Sequence, residues 1–162
     1  MRILVTNDDG IESPGIQTLV AQLAGEHEVV VVAPSGDRSG VSHAITAREA
    51  ITIELREDAA VRSYACSGTP ADCVFLGSTE LWEPPDLVIS GINHGPNLGD
   101  DVNYSGTVAG AVEAALLGVP GLAVSLACSH IEPLDRRHWD AAAQIVKRCL
   151  SGAFDRLSDA SC

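Results

Sequence analysis

Short apolar runs separated by amphipathic stretches constrain this chain most. Ile3 to Thr6, Val29 to Ala33, Asp86 to Ser90 and Leu122 to Ala127 each have the length and composition of a strand buried on both faces. Between them, Pro14 to about Ala24 carries Ile16, Leu19, Val20 and Leu23 on one helical face, and Gly25 closes the helix. Thr69 or Pro70 opens a second helix to about Leu81. Thr107 to Leu117 is an Ala-rich third, stopped by Gly118 and Pro120, and about Arg137 to Leu150 is a fourth. Helices alternating with buried strands imply right-handed βαβ crossovers and a doubly wound α/β sheet. Aromatics make up only 4% of the chain, so the core must be built from Val, Ile, Leu and Ala. Ile51 to Leu55 and Val61 to Cys66 read as a two-stranded excursion, and the 162 residues suit one domain.

In a doubly wound sheet, ligands bind outside the carboxyl ends of the strands. Three unusual loops start at such ends: after Thr6, after Ala33 and after Ile89. The last covers about Asn93 to Ser105. These loops are where chemistry is expected.

Charge narrows the partners. A formal net charge of −12 repels nucleic acid polymers and anionic membranes. No apolar run reaches membrane-spanning length and no leader pattern opens the sequence, so a soluble, cytoplasmic protein is expected. The five cysteines, at 66, 73, 128, 149 and 162, form no C-x-x-C pair. They read as buried free thiols and not as a zinc site.

Asp8 and Asp9 stand side by side where the first strand ends. Along a strand they would face opposite ways, but past the turn both can reach one crevice. Two acids there repel each other unless a proton or a cation lies between them, and a hard divalent ion with oxygen ligands suits them. An Asx turn or helix cap is the structural alternative. The chain has no G-x-x-x-x-G-K-[ST] and no G-x-G-x-x-G after the first strand, so neither phosphate-cradling glycine motif is present.

Ser39, in Arg38-Ser39-Gly40, and Asn93, in Ser90-Gly-Ile-Asn-His-Gly-Pro-Asn, offer a cation neutral oxygens. Arg38 or His43 could meet a phosphate or serve only as surface residues. Asn97 either binds a phosphate oxygen or braces its loop. His94 could serve as an acid or be structural, and Asp100 and Asp101 read as bracing the loop or starting a turn. Ser105, Gly106 and Thr107 open the Ala-rich helix and could offer amides and hydroxyls to an anion, or Ser105 could be a plain N-cap.

Val5-Thr-Asn-Asp-Asp-Gly-Ile, Ala33-Pro-Ser-Gly-Asp-Arg-Ser-Gly, Ser90-Gly-Ile-Asn-His-Gly-Pro-Asn and Tyr104-Ser-Gly-Thr-Val-Ala-Gly-Ala together resemble the survival protein SurE family over residues 1 to about 127. The resemblance implies a three-layer α/β/α, Rossmann-like, mostly parallel sheet. It also implies metal-dependent hydrolysis of nucleoside 5′-monophosphates. One Mg2+ or Mn2+ would be held by Asp8, Asp9, Ser39 and Asn93, with Asp8 and Asp9 also catalytic. Asn97, Ser105, Gly106 and Thr107 would bind the phosphate. Family members form homodimers or tetramers and continue well past this length with more strands and an extended hairpin used in subunit exchange. Relative to them the chain looks C-terminally truncated, so the swapped assembly is not expected. If the missing part is required for turnover, the chain would bind metal and nucleotide without catalysis. An aspartyl-phosphate phosphatase is disfavoured, because such enzymes usually separate their two acids by one residue.

Overall fold

The chain is described by a computed structural model covering residues 1–57, 59–128 and 136–158. Strand β1 (Arg2–Thr6) buries every residue from Ile3 onward, because a strand pairs with it on each edge and helical side chains cover both of its faces. Helix α1 (Pro14–Leu23) leads into β2 (Glu28–Pro34), parallel to β1 with Ile3 opposite Val29 and Val5 opposite Val31. Then follow β3 (Ile53–Arg56), β4 (Ser63–Cys66), α2 (Pro70–Thr79) and β5 (Leu87–His94). A short 3-10 turn (Gly99–Asn103) precedes α3 (Gly106–Leu116), β6 (Gly121–Leu126) and α4 (Arg136–Ser158). The six strands lie in the order β3-β4-β2-β1-β5-β6, all parallel except β3, which runs antiparallel to β4.

Alternation along the strands builds two cores. Ile3, Val5, Val29, Val31, Leu87 and Ile89 face α1 and α4, where Ile16, Leu19, Leu23, Trp139 and Val146 meet them. Leu4, Val30, Val32 and Val88 face the other way, onto Cys73 and Val74 of α2 and Ala114 of α3. The result is the expected three-layer α/β/α arrangement. On the second face α2 lies so close to the sheet that a Cβ on Gly77 would stand 2.9 Å from both Leu4 methyls and 3.1 Å from Val32. Gly77→Ala should therefore destabilise the fold by about 1–3 kcal/mol through overpacking. Urea unfolding checks this, and an unchanged midpoint would mean that Leu4 swings aside without cost.

Three expectations need correcting. The segment holding β3 and β4 is not an excursion: β4 pairs in parallel with β2 and extends the main sheet, and β3 forms its edge. β5 does not stop at Gly91 but runs to His94, and the polar, Gly-broken sequence hid this continuation. α4 continues to Ser158, past the expected end at Leu150. Cysteine burial also splits: Cys66 and Cys73 are buried, Cys128 is half-buried and Cys149 exposed, while Cys162 lies outside the described residues. A hydrogen bond from Cys73 pulls the Cys66 thiol down to about 7, and burial pushes Cys73 up. Among the described residues, no helix is long and apolar enough to cross a membrane.

Candidate metal and phosphate site

The turn after β1 is laced into the fold by its own polar groups. Asn7 donates to the Gly10 carbonyl (2.9 Å) and to Ser13 Oγ (2.8 Å) at the start of α1. The Ile11 amide reaches back to the Pro34 carbonyl (2.8 Å), which holds the turn against the end of β2. Asp8, 4% exposed, is thereby driven toward α3. Its Oδ1 accepts from the Thr107 hydroxyl (2.6 Å) and its Oδ2 from the Thr107 amide (3.0 Å). Only a glycine fits at 106, because a Cβ there would lie 2.9 Å from that of Asp8. Asp9 points to the other side, where its Oδ2 accepts from the His94 amide at the end of β5 (3.0 Å).

Burial pushes both carboxyls above their ordinary values. The Thr107 bonds pull Asp8 partly back, and the His94 amide does the same for Asp9. Each is also raised by the charge of Asp37, and Asp9 further by that of Asp8. Asp37 itself sits in the loop after β2, where its Oδ1 accepts from both the amide (2.8 Å) and the hydroxyl (2.6 Å) of Ser39. Those bonds hold Asp37 below its ordinary value. With its proton committed to Asp37, the Ser39 oxygen keeps its lone pairs for another partner.

The loop that carries Ser39 is pinned along its length. The Arg38 amide donates to the Asp8 carbonyl (2.7 Å) and its guanidinium to the Ser67 carbonyl (2.7 Å). His43 meets Glu113 of α3 (2.7 Å), and Thr46 donates to Asp72, the capping-box residue of α2. Arg38 and His43 are thus braces in this structure. Asn93 reaches the site because the pairing of β5 with β6 shifts register between Ser90 and Asn93. Its Nδ2 donates to the Gly95 carbonyl (2.9 Å), which leaves its amide oxygen uncommitted by that bond.

A cleft of about 280 Å³ gathers Asp8, Ser39, Gly40, Asn93, Asn97 and Ser105, with His94, Gly95, Pro96, Asp101 and Tyr104 around them. Asp9 opens instead on an adjoining hollow beside Ser13, Pro14, His94 and Trp139. Gly106 and Thr107 stand behind Asp8 and do not line the cleft. Asn97 is braced through Nδ2 to Ser125 Oγ (2.8 Å), and Ser105 Oγ accepts from the Val108 amide (3.1 Å) as the N-cap of α3. A larger cavity of about 380 Å³, beside the Glu12–Arg56 ion pair, contains none of these groups. Sequence reading passed over Asp37, although an Asp two residues before a Ser is a turn signal. Tyr104 served it only as the start of a motif.

The donor set fits a hard divalent cation. A buried carboxylate, Asp8, and a half-buried one, Asp9, are offered with a hydroxyl oxygen and an amide oxygen, and no thiol or imidazole nitrogen is needed. Among the described residues, no group of three or more His, Cys, Asp and Glu side chains is placed to hold a metal, so neutral oxygens would have to complete the shell.

Fold and cleft together define an α/β protein with an acidic, oxygen-rich site at the carboxyl ends of its central strands. The family profile described as Survival protein SurE matches residues 3–162. The chain is 52% identical over 150 residues to the 5′-nucleotidase SurE of Pelobacter propionicus, an alignment covering 91% of this chain and 58% of that protein. It is 51% identical over 153 residues to the 5′/3′-nucleotidase SurE of Yersinia pestis, covering 93% and 56%. The crystal structure of the SurE protein from Aquifex aeolicus matches with a TM-score of 0.80 at 42% identity, over 94% of this chain and 61% of that one. The chain belongs to the SurE family, and it spans under two thirds of the length of these relatives.

Proposed function

We propose that this chain hydrolyses nucleoside monophosphates, the 5′ esters first, with one Mg2+ or Mn2+ held by Asp8, Asp9, Ser39 and Asn93. One observation carries the reading: Asp8 and Asp101 line a cleft that, among the described residues, no lysine or arginine lines, and Asp9 in the adjoining hollow and Asp37 in the loop after β2 add their charge beside it. A phosphate ester meets such a cleft favourably only once a cation offsets the acids. The names of the relatives, 5′-nucleotidase and 5′/3′-nucleotidase, supply the substrate class.

When bound, the cation polarises a phosphate oxygen and acidifies water. The protein's part is orientation. Thr107 holds Asp8 through two hydrogen bonds, and Asp37 takes the Ser39 proton so that the hydroxyl offers only lone pairs inward. Ser105 accepts from Val108, so its own O–H is left to donate to a phosphate oxygen. The second Nδ2 proton of Asn97 is a further donor for the charge that develops there. Asp9 is bonded through Oδ2 to the His94 amide, whereas both oxygens of Asp8 accept from Thr107, so Asp9 is the acid assigned to accept a proton from attacking water.

Thr107→Val keeps volume and amide but removes the 2.6 Å bond to Asp8. It should leave the fold intact and weaken Mn2+ binding by about 10-fold, the usual effect of losing a partner that orients a ligand. Parental affinity by calorimetry would show that the hydroxyl does not orient Asp8. The function itself is tested by phosphate release from a panel of 5′- and 3′-nucleotides with Mn2+ and with chelator. Release from 5′-AMP that chelator stops is expected. Chelator-resistant release would refute the metal, and Mn2+ binding without release would favour the second reading, a binding module.

A further inference from the structure

We propose that the ring of Tyr104 is the platform on which the base of the bound nucleotide stacks, an inference that rests on the nucleotidase reading. Asp8, Asp9, Ser39 and Asn93 deal only with the phosphate end and would treat any small phosphate ester alike. Selection of a nucleotide needs a group that meets the base.

Apart from the imidazole of His94, whose ring stands 6.0 Å from that of Trp139, Tyr104 is the one aromatic residue lining the cleft among the described residues. The others are engaged elsewhere or lie away from it. Tyr64 and Trp82 pack against the core under α2 and α3, Trp139 is 5% exposed in the core under α1 and α4, and Phe75 projects from α2. Tyr104 is 65% exposed although its backbone is fixed. Its amide donates to the Asp101 carbonyl (3.0 Å), and its own carbonyl accepts from Ser42 (3.0 Å). The Ser42 hydroxyl bonds Asn103 next door (2.8 Å), and Ser105 caps α3 immediately after. A rigidly carried aromatic face standing in solvent beside a cleft of about 280 Å³ contributes little to packing. It is preorganised for a flat, uncharged ligand. Pro96, on the lining of the same cleft, adds a second apolar surface.

A base is the part of a nucleotide that an acidic protein can hold without charge pairing. Stacking is tolerant of base identity, so purines and pyrimidines should both be accepted, with purines favoured by their larger face. Tyr104 then sets the class of ester taken, while the acids and neutral oxygens handle its phosphate.

Ribose 5-phosphate has the sugar and phosphate of AMP without the base, so it isolates the stacking contact. Equilibrium binding of the hydrolysis-resistant phosphonate analogues of both esters, with Mn2+ present, should show the parent holding the AMP analogue about 10-fold more tightly. Tyr104→Ala should bring the AMP analogue down to the level of the ribose 5-phosphate analogue and leave binding of the latter unchanged, whereas Tyr104→Phe keeps the preference. The proposal is overturned if the parent shows no preference, if the Ala variant keeps it, or if that variant weakens both esters equally. Phosphate release is read in parallel. A parent that prefers AMP but hydrolyses neither ester would sink the nucleotidase reading while leaving the stacking result standing.

Discussion

Asp8→Asn is expected to weaken Mn2+ binding by on the order of 100-fold and to remove nucleotide hydrolysis with it. The substitution deletes a charge from a proposed donor set that has only two carboxylates, Asp8 and Asp9. It also places an NH2 group where Asp8 now accepts two hydrogen bonds from Thr107. Ser39→Ala should cost less, because it removes a neutral donor and leaves both carboxylates in place. Calorimetry gives the affinities, and far-UV circular dichroism shows whether the variants stay folded. A folded Asp8→Asn protein with parental Mn2+ affinity would remove Asp8 from the metal shell.

Gly91→Ala should be the most damaging change outside the acids, destabilising the fold by about 3 kcal/mol or more. Gly91 has φ +136°, a conformation that side chains resist, and a Cβ there would stand 2.3 Å from the Val124 carbonyl oxygen on β6. The strand cannot back away, because β5 is paired with β1 on its other edge. Gly99→Ala is the control: its φ is +57°, nothing lies within 4 Å of the added Cβ, and its cost should stay near ~1 kcal/mol. Urea unfolding of the two variants separates clash from backbone strain. Equal losses would mean that the contact with Val124 is relieved cheaply. Any folded Gly91→Ala protein should also bind Mn2+ more weakly, since the register shift that brings Asn93 to the cleft begins at Ser90.

Much of the architecture was legible because it follows from local pattern. Unbroken apolar runs such as Val29 to Ala33 can only be strands covered on both faces, and the spacing of Ile16, Leu19, Val20 and Leu23 can only be a helix covered on one. What failed depended on partners distant in sequence. Gly91 and Asn93 look like loop residues, yet β6 supplies the pairing that carries β5 through to His94. Likewise nothing within Val61 to Cys66 reveals that Val31 to Pro34 lies beside it in parallel.

The candidate site divides in the same way. Asp8, Ser39 and Asn93 were named from residue chemistry and from the family resemblance, and the fold brings all three to one cleft. The splay of Asp9 away from Asp8 was not readable, because it depends on an amide of β5 and a threonine 99 residues away from Asp8. Thr107 illustrates the limit: a helix-start hydroxyl looks like an anion donor in sequence, but here its proton goes to Asp8.

Adding Mn2+ back to the metal-stripped chain while following phosphate release from AMP tests the central claim most directly. Release should be absent without metal, rise with each increment and level off at one Mn2+ per chain. Steady release from the stripped protein, or none at any Mn2+ concentration, would contradict it.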